Sequence, residues 1–279
     1  PGTPSGLEPE MRIESVLPDL DRPCAFVPTM GALHAGHQSL IKIARELAEE
    51  VVVSVFVNPL QFEDKSDLAK YPKTPEQDAQ LAQDAGATLL WRPSVADIYP
   101  GNERKISAGE LGARFEGVNR AGHFDGVLTV VNRLFSLVRP KFAIFGEKDL
   151  QQLFLIKQMA ARLHPDIEII AAPTIREESG LALSSRNIRL SNSGRDTATK
   201  IFQSLKTAAN QDSLTQMRIE LERLNHQSGF LLDYAEIIDA QTFEIATDQT
   251  EDCRAIVAGW VEGVRLIDNM AMQSALVRL

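Results

Sequence analysis

The chain is predicted to be an α/β protein, with a parallel-sheet domain over residues 11–174 and a smaller α+β domain over residues 175–279. Three observations predict this. Up to Pro173, short apolar runs alternate with segments whose apolar positions recur at helical spacing, as strand and crossover helix do in a parallel sheet. Beyond it, helical patterns and then strand-like runs cluster instead of alternating. A length of 279 residues also exceeds what one hydrophobic core usually holds.

The runs 24–27, 51–57, 88–91, 142–145 and 167–171 are short and mostly β-branched or aromatic, and each reads as a strand. Between the first two, residues 36–49 place Leu40, Ala44, Leu47 and Ala48 on one helical face. Thr74, Pro75 and Gln77 read as N-cap, first-turn proline and capping-box partner of a helix closed by Gly86, with a purely structural role expected. Segment 125–138 carries Val127, Val130, Val131, Leu134, Phe135 and Val138 at helical spacing and stops before Pro140. Segment 149–164 repeats the pattern up to Pro165, with Asp149 as expected N-cap and Gln152 as its partner. After a polar loop come expected helices at 193–209 and 213–225 and strands at 234–238, 253–260 and 264–267.

Acidic residues number 38 against 29 Lys+Arg, a formal net charge of −9, so no general basic field exists to hold a nucleic acid or an anionic membrane. An anionic substrate therefore needs a local cationic pocket. Apolar stretches fall far short of the ~20 residues that span a bilayer. Cys24 and Cys253 lack metal-ligand or CxxC spacing, so a reducing cytoplasm is the expected location. Residues 1–9 lack the basic and apolar regions of a signal peptide, and Met11 is the expected natural start.

The chemistry concentrates where strands give way to helices. Pro28 to His37 reads PTMGALHAGH, an H-x-G-H pattern between the first strand and the first helix. That edge of a parallel sheet binds ligands, and a helix N-terminus favours phosphate. His34 and His37 fall on one side of the first turn, and Gly36 leaves room for a phosphate beside the backbone. A lone histidine would read as an ordinary loop residue; the pair at this junction reads as a phosphate site. Gly146-Glu147-Lys148-Asp149 follows the fourth strand, where a lysine can reach phosphate. Ser184-Ser185-Arg186-Asn187 offers hydroxyls and a forked cation suited to a triphosphate. Gln61, just after the second strand, can read hydroxyl and carboxylate groups of a small substrate. Arg120 and His123 either add positive character or simply lead into a helix.

Taken in order, PTMGALHAGH, VNPLQF, KYPKT, GHFDGV, FGEKDLQQ and GLALSSRN resemble the pantothenate synthetase family of the H-x-G-H nucleotidyltransferase-like superfamily. The resemblance implies a Rossmann-like N-terminal domain, a smaller C-terminal lid and a homodimer. It implies that pantoate and ATP, with Mg2+, form pantoyl adenylate and diphosphate, and that β-alanine then displaces AMP to give pantothenate. By motif, Met30, Gly31, His34, Gly36 and His37 line ATP. Gly146, Glu147, Lys148, Asp149, Ile175, Leu183, Ser184, Ser185 and Arg186 complete that site. Gln61 and Gln152 hold pantoate, and His37, His34, Lys148 and Arg186 are the catalytic set; no metal ligand is assigned. Ala35, Ala121, Leu150 and Arg189 depart from the family pattern, and none of them is a presumed contact. The rival is a nucleotidyl transfer to a phosphorylated acceptor, which would need further cations beside the second strand in place of the neutral amides of Gln61 and Gln152. A non-catalytic binding module is disfavoured by the intact His34, His37, Lys148 and Arg186.

Overall fold

The computed structural model describes residues 10–20, 22–62 and 68–272. The 1–9 stretch and residues 273–279 of the expected C-terminal domain lie outside them. The chain divides into two compact units, one of Pro1–Phe145 with Leu155–Ala172 and the other of Gly146–Phe154 with Pro173–Leu279.

The first unit is built on a six-stranded sheet, β1 (Arg12–Glu14), β2 (Cys24–Thr29), β3 (Glu50–Val55), β4 (Leu89–Trp91), β5 (Phe142–Gly146) and β6 (Glu168–Ala172), in the order β1-β4-β3-β2-β5-β6. Pairing of β2 with β3 and with β5, and of β4 with β1 and β3, is parallel. Ala25 to Val27 and Val51 to Val53 are fully buried, which explains why these strands read as unbroken apolar runs rather than alternating ones. All five expected strands form. The sequence reading missed β1, whose three residues are all exposed at the sheet edge and carry no periodic signal.

Crossovers are α1 (Ala35–Leu47), α2 (Pro75–Asp84), α3 (Val95–Ile98), α4 (His123–Val138) and α5 (Leu150–Leu163). In α1 the apolar stripe buries Ile41 and Ala44. Helix α4 is buried almost all round and approaches the turn at Pro59–Gln61 so closely that a Cβ on Gly126 would collide with the Leu60 carbonyl. Two local expectations fail. Thr74 makes no cap hydrogen bond to the α2 backbone; its hydroxyl instead donates to the Asp78 carboxylate, at 3.0 Å from Oδ1. Asp149 is not an extended N-cap, because Glu147–Asp149 is a 3-10 turn running directly into α5.

The second unit packs α6 (Asn192–Ala209) and α7 (Leu214–Glu222) with an antiparallel sheet β7-β8-β9 of Phe230–Asp239, Cys253–Val261 and Val264–Ala271. Its core joins Ile201, Leu205 and Met217 to Ile237, Ala255 and Val257. The segment before α6, read as a polar loop, is a tight hairpin. Leu183 donates to the Ile175 carbonyl at 2.9 Å and Glu177 to that of Leu181 at 2.8 Å. Gly180 turns the corner at φ +92° against the Phe202 ring, a position no side chain could take.

Candidate active site

In the first unit, β2 ends at Thr29 and the chain folds through Met30, Gly31 and Ala32 to the N-cap of α1, His34. Gly31 is at φ +83° and Ala32 at φ +51°. This loop is held by a carboxylate. Asp78 of α2, 2 % exposed, accepts the backbone N–H of Ala32 at 3.2 Å and of Leu33 at 2.8 Å, together with the Thr74 hydroxyl. Helix α2 therefore organises the histidine loop, which the sequence reading took as scaffold alone. A signal was present: Asp78 lies on the stripe of Ala82 and Ala85, where an apolar residue is expected.

The two imidazoles cap one another's turn. Gly36 N–H donates to His34 Nδ1 at 3.1 Å, and His34 N–H donates to His37 Nδ1 at 3.2 Å. Their ring centroids are 4.2 Å apart and tilted by 50°. A ring nitrogen that accepts an N–H carries no proton, so each ring bears its hydrogen on Nε2 and offers that edge as a donor. Gly36 is needed for the His34 ring itself. A Cβ there would lie 2.8 Å from His34 Cε1, so the glycine admits the histidine ring before it admits any ligand.

Gln61 ends the 3-10 turn Pro59–Gln61 directly after β3. Its Oε1 accepts from Asn58 Nδ2 at 3.0 Å, which turns the Nε2 hydrogens outward as donors suited to a carboxylate or hydroxyl. Asn58, 1 % exposed, is itself fixed by a bond to the Gly126 carbonyl at 3.1 Å and by the Tyr99 hydroxyl at 2.6 Å. Burial, aided by Glu103, raises the Tyr99 pKa well above the ordinary phenol value, so that hydroxyl remains a donor. His123 is buried at the start of α4 with Nδ1 3.0 Å from the Gln61 carbonyl, which favours the plain helix-leading reading of the GHF segment.

In the second unit, Lys148 occupies the middle of the 3-10 turn after Gly146, where an added Cβ would meet nothing within 4 Å. Glu147 is ion-paired with Arg254 at 3.0 Å. Ser184 caps the turn Ser185–Arg189 by accepting from Arg186 N–H at 3.2 Å. Asn187, buried, donates to Glu177 Oε1 at 3.2 Å and to the Ala182 carbonyl at 3.0 Å, and Arg195 holds Glu177 at 2.8 Å. One cavity in this unit is lined by Lys148, Ser184, Arg186, Arg265 and Asp268 among others, so Lys148 and Arg186 share a surface. Ile175 and Leu183 are brought into register by the hairpin. Gln152 is half-buried in the first turn of α5, beside the buried Gln151.

Comparison with known proteins identifies the family. A sequence model described as Pantoate-beta-alanine ligase matches residues 10–271. The chain belongs to the pantoate-beta-alanine ligase family. It is 46% identical over 265 residues to the pantothenate synthetase of Acidothermus cellulolyticus, covering 92% of this chain and 88% of the relative. Its structure is similar to that of pantothenate synthetase from Thermus thermophilus, with TM-score 0.84, 42% identity and coverage of 90% and 94% of the two chains. The pantoate-beta-alanine ligase of Francisella tularensis, solved with beta-gamma ATP and beta-alanine, matches with TM-score 0.73 and 37% identity over 95% of this chain and 92% of that one. The expected fold class and enzyme family are therefore borne out. Among the described residues no helix is long and apolar enough to cross a membrane.

Proposed function

We propose that the chain joins pantoate to β-alanine at the expense of ATP, giving pantothenate, AMP and diphosphate through a pantoyl adenylate. The observation that carries this reading is the pair of imidazoles whose Nδ1 atoms are tied to backbone N–H groups, which makes both Nε2–H edges preset donors. In the first step a pantoate carboxylate oxygen attacks the α-phosphorus of ATP, and the bond to the bridging oxygen of diphosphate breaks. A carboxylate with a reference pKa of ~4 is already ionised, so no base is required. The step needs charge stabilisation and in-line positioning instead. His34 and His37 donate to phosphate oxygens without carrying a cost of reorganisation, while Lys148 and Arg186 supply full positive charge. In the second step the neutral amine of β-alanine attacks the acyl carbon, the bond to the AMP oxygen breaks with its electron pair leaving on AMP, and the nitrogen releases a proton to solvent as the amide forms.

Met30, Gly31, Gly36, Gly146, Asp149, Ile175, Leu183, Ser184 and Ser185 complete the nucleotide contacts in this reading, with Glu147 acting through its Arg254 pair. Gln61 and Gln152 hold pantoate through amide donors. Mg2+ accompanies the nucleotide. Bound with the nucleotide, the ion would neutralise charge on its phosphate oxygens. Residues 11–174 serve as the ATP- and pantoate-binding domain, apart from Gly146–Phe154, which group with the smaller domain of 175–279, in a cytoplasmic homodimer.

Pantoate-dependent exchange of labelled diphosphate into ATP, with and without β-alanine, tests the reading. Exchange with pantoate alone is the expected result. Turnover with a phosphorylated acceptor and no exchange with pantoate would replace it by nucleotidyl transfer. His37→Ala and Lys148→Ala should each slow adenylation by about 10²-fold or more, the scale of losing one preorganised donor.

A further inference from the structure

We infer that Asn269, on β9, is a positioning residue for Lys148 that acts through the backbone of the turn carrying it. The inference rests on the role given to Lys148 above. Glu147–Asp149 is a single 3-10 turn between β5 and α5, and a side chain from β9 fixes where it sits. Asn269 Nδ2 donates to the Glu147 carbonyl at 2.8 Å and to the Lys148 carbonyl at 3.1 Å. The amide is oriented for this by Arg254 of β8, whose Nε donates to Asn269 Oδ1 at 2.7 Å; a flipped amide would set N–H against N–H. Arg254 also reaches Glu147 Oε2 at 3.0 Å, closing a ring of contacts around the turn.

At 3 % exposure Asn269 presents no surface to a triphosphate, so it influences chemistry only through what it holds. What it holds is the Cα of a lysine with a flexible four-carbon stem, whose reach depends on where that Cα sits. The anchor itself is firm, since β9 is paired with β8 along its whole length from Val264 to Ala271. The preceding residue does the same for the other cation's segment. Asp268 takes Arg176 in a two-point pair at 2.5 and 2.9 Å, and Arg176 begins the hairpin that ends at Leu183, one residue before the Ser184 cap of Arg186. One dipeptide of β9 thus sets the origin of both cation-bearing segments.

The test is a double-mutant cycle on single-turnover adenylation, with KM for pantoate and thermal unfolding recorded alongside. Asn269→Asp keeps size and the Arg254 contact but replaces both donors by a carboxylate oxygen facing carbonyls. It should lower the adenylation rate about 10-fold, the scale of a small misplacement, with KM for pantoate unchanged. In a Lys148→Ala background the same substitution should change the rate less than about twofold, because the group it positions is gone. If Asn269→Asp does not fold, Arg254→Gln carries the cycle, with a smaller loss of about 3-fold expected and the same disappearance in Lys148→Ala. Equal fold losses in both backgrounds, or an unchanged rate in the Asn269 variant, would overturn the positioning role alone. A folded Lys148→Ala enzyme at full rate would instead remove the lysine's role and the inference with it.

Discussion

The histidine loop of the first unit and the lysine turn of the second, both proposed above to stabilise charge, each follow a parallel strand, but they are held by opposite means. His34 and His37 are fixed by backbone N–H groups two and three residues away. Lys148 rides on a turn fixed by side chains 107 to 122 residues distant. The difference shows that a local motif can specify the geometry of an imidazole pair, whereas a lone lysine borrows its geometry from another part of the fold. Substitutions near His34 should therefore separate capping from chemistry, while those around Lys148 should spread their effect across the whole network.

The largest effect that sharpens this contrast is at His34. Asparagine is among the best N-caps, so His34→Asn keeps an acceptor for the Gly36 N–H but removes the Nε2–H. Adenylation should fall by about 10²-fold while urea unfolding shifts by less than about 0.5 kcal/mol. A variant that loses stability and activity together would mean that capping and chemistry are inseparable here. Next comes Asp78→Ala. It strands the Ala32 and Leu33 N–H groups and the Thr74 hydroxyl in a buried place, and should destabilise by about 3 kcal/mol in urea unfolding, since each unmet buried group costs about 1–3 kcal/mol. Gly31→Ala is smaller. The residue is at φ +83° and its new Cβ would lie 2.9 Å from Asp78 Oδ2 and 3.0 Å from Val55 Cγ1, so a loss of about 1–2 kcal/mol is expected. Retention of full stability there would show that the loop relaxes and does not require its positive φ.

Legibility in the sequence follows the same division. The core strands were readable because burial on both faces writes a continuous apolar run, and Pro140 and Pro165 mark the ends of α4 and α5. The edge strand β1 was not, because three exposed residues carry no pattern and exist as a strand only through pairing with β4. Within the site, the H-x-G-H spacing states its own geometry. The Asp78 brace, the Asn58 tether on Gln61 and the Asn269 anchor are polar residues that look ordinary in a single sequence. Their roles arise only when the fold brings residues 41 to 122 positions apart into hydrogen-bonding distance. Asp78 could have been singled out as a charge on an apolar stripe; Asn269, on a strand whose neighbours are mixed, offered no such sign.

The smallest expected effect lies away from both sites and tests whether the first unit's core responds to pH through a single group. His164, at the end of α5, packs edge-on against Phe135 with centroids 5.5 Å apart and has Nε2 2.9 Å from Asn132 Oδ1. Burial lowers its pKa below the ordinary 6.5, so the neutral ring is the form the fold prefers. The folded state therefore binds this proton less readily than the unfolded chain. The stabilisation is fully present above the unfolded value of 6.5 and declines as pH falls from there toward the lower folded pKa. In urea titrations taken across that window, His164→Gln, which can still donate to Asn132, should show a shallower loss of stability on acidification than the parent chain. An identical pH slope in the two proteins would assign the acid sensitivity to other groups.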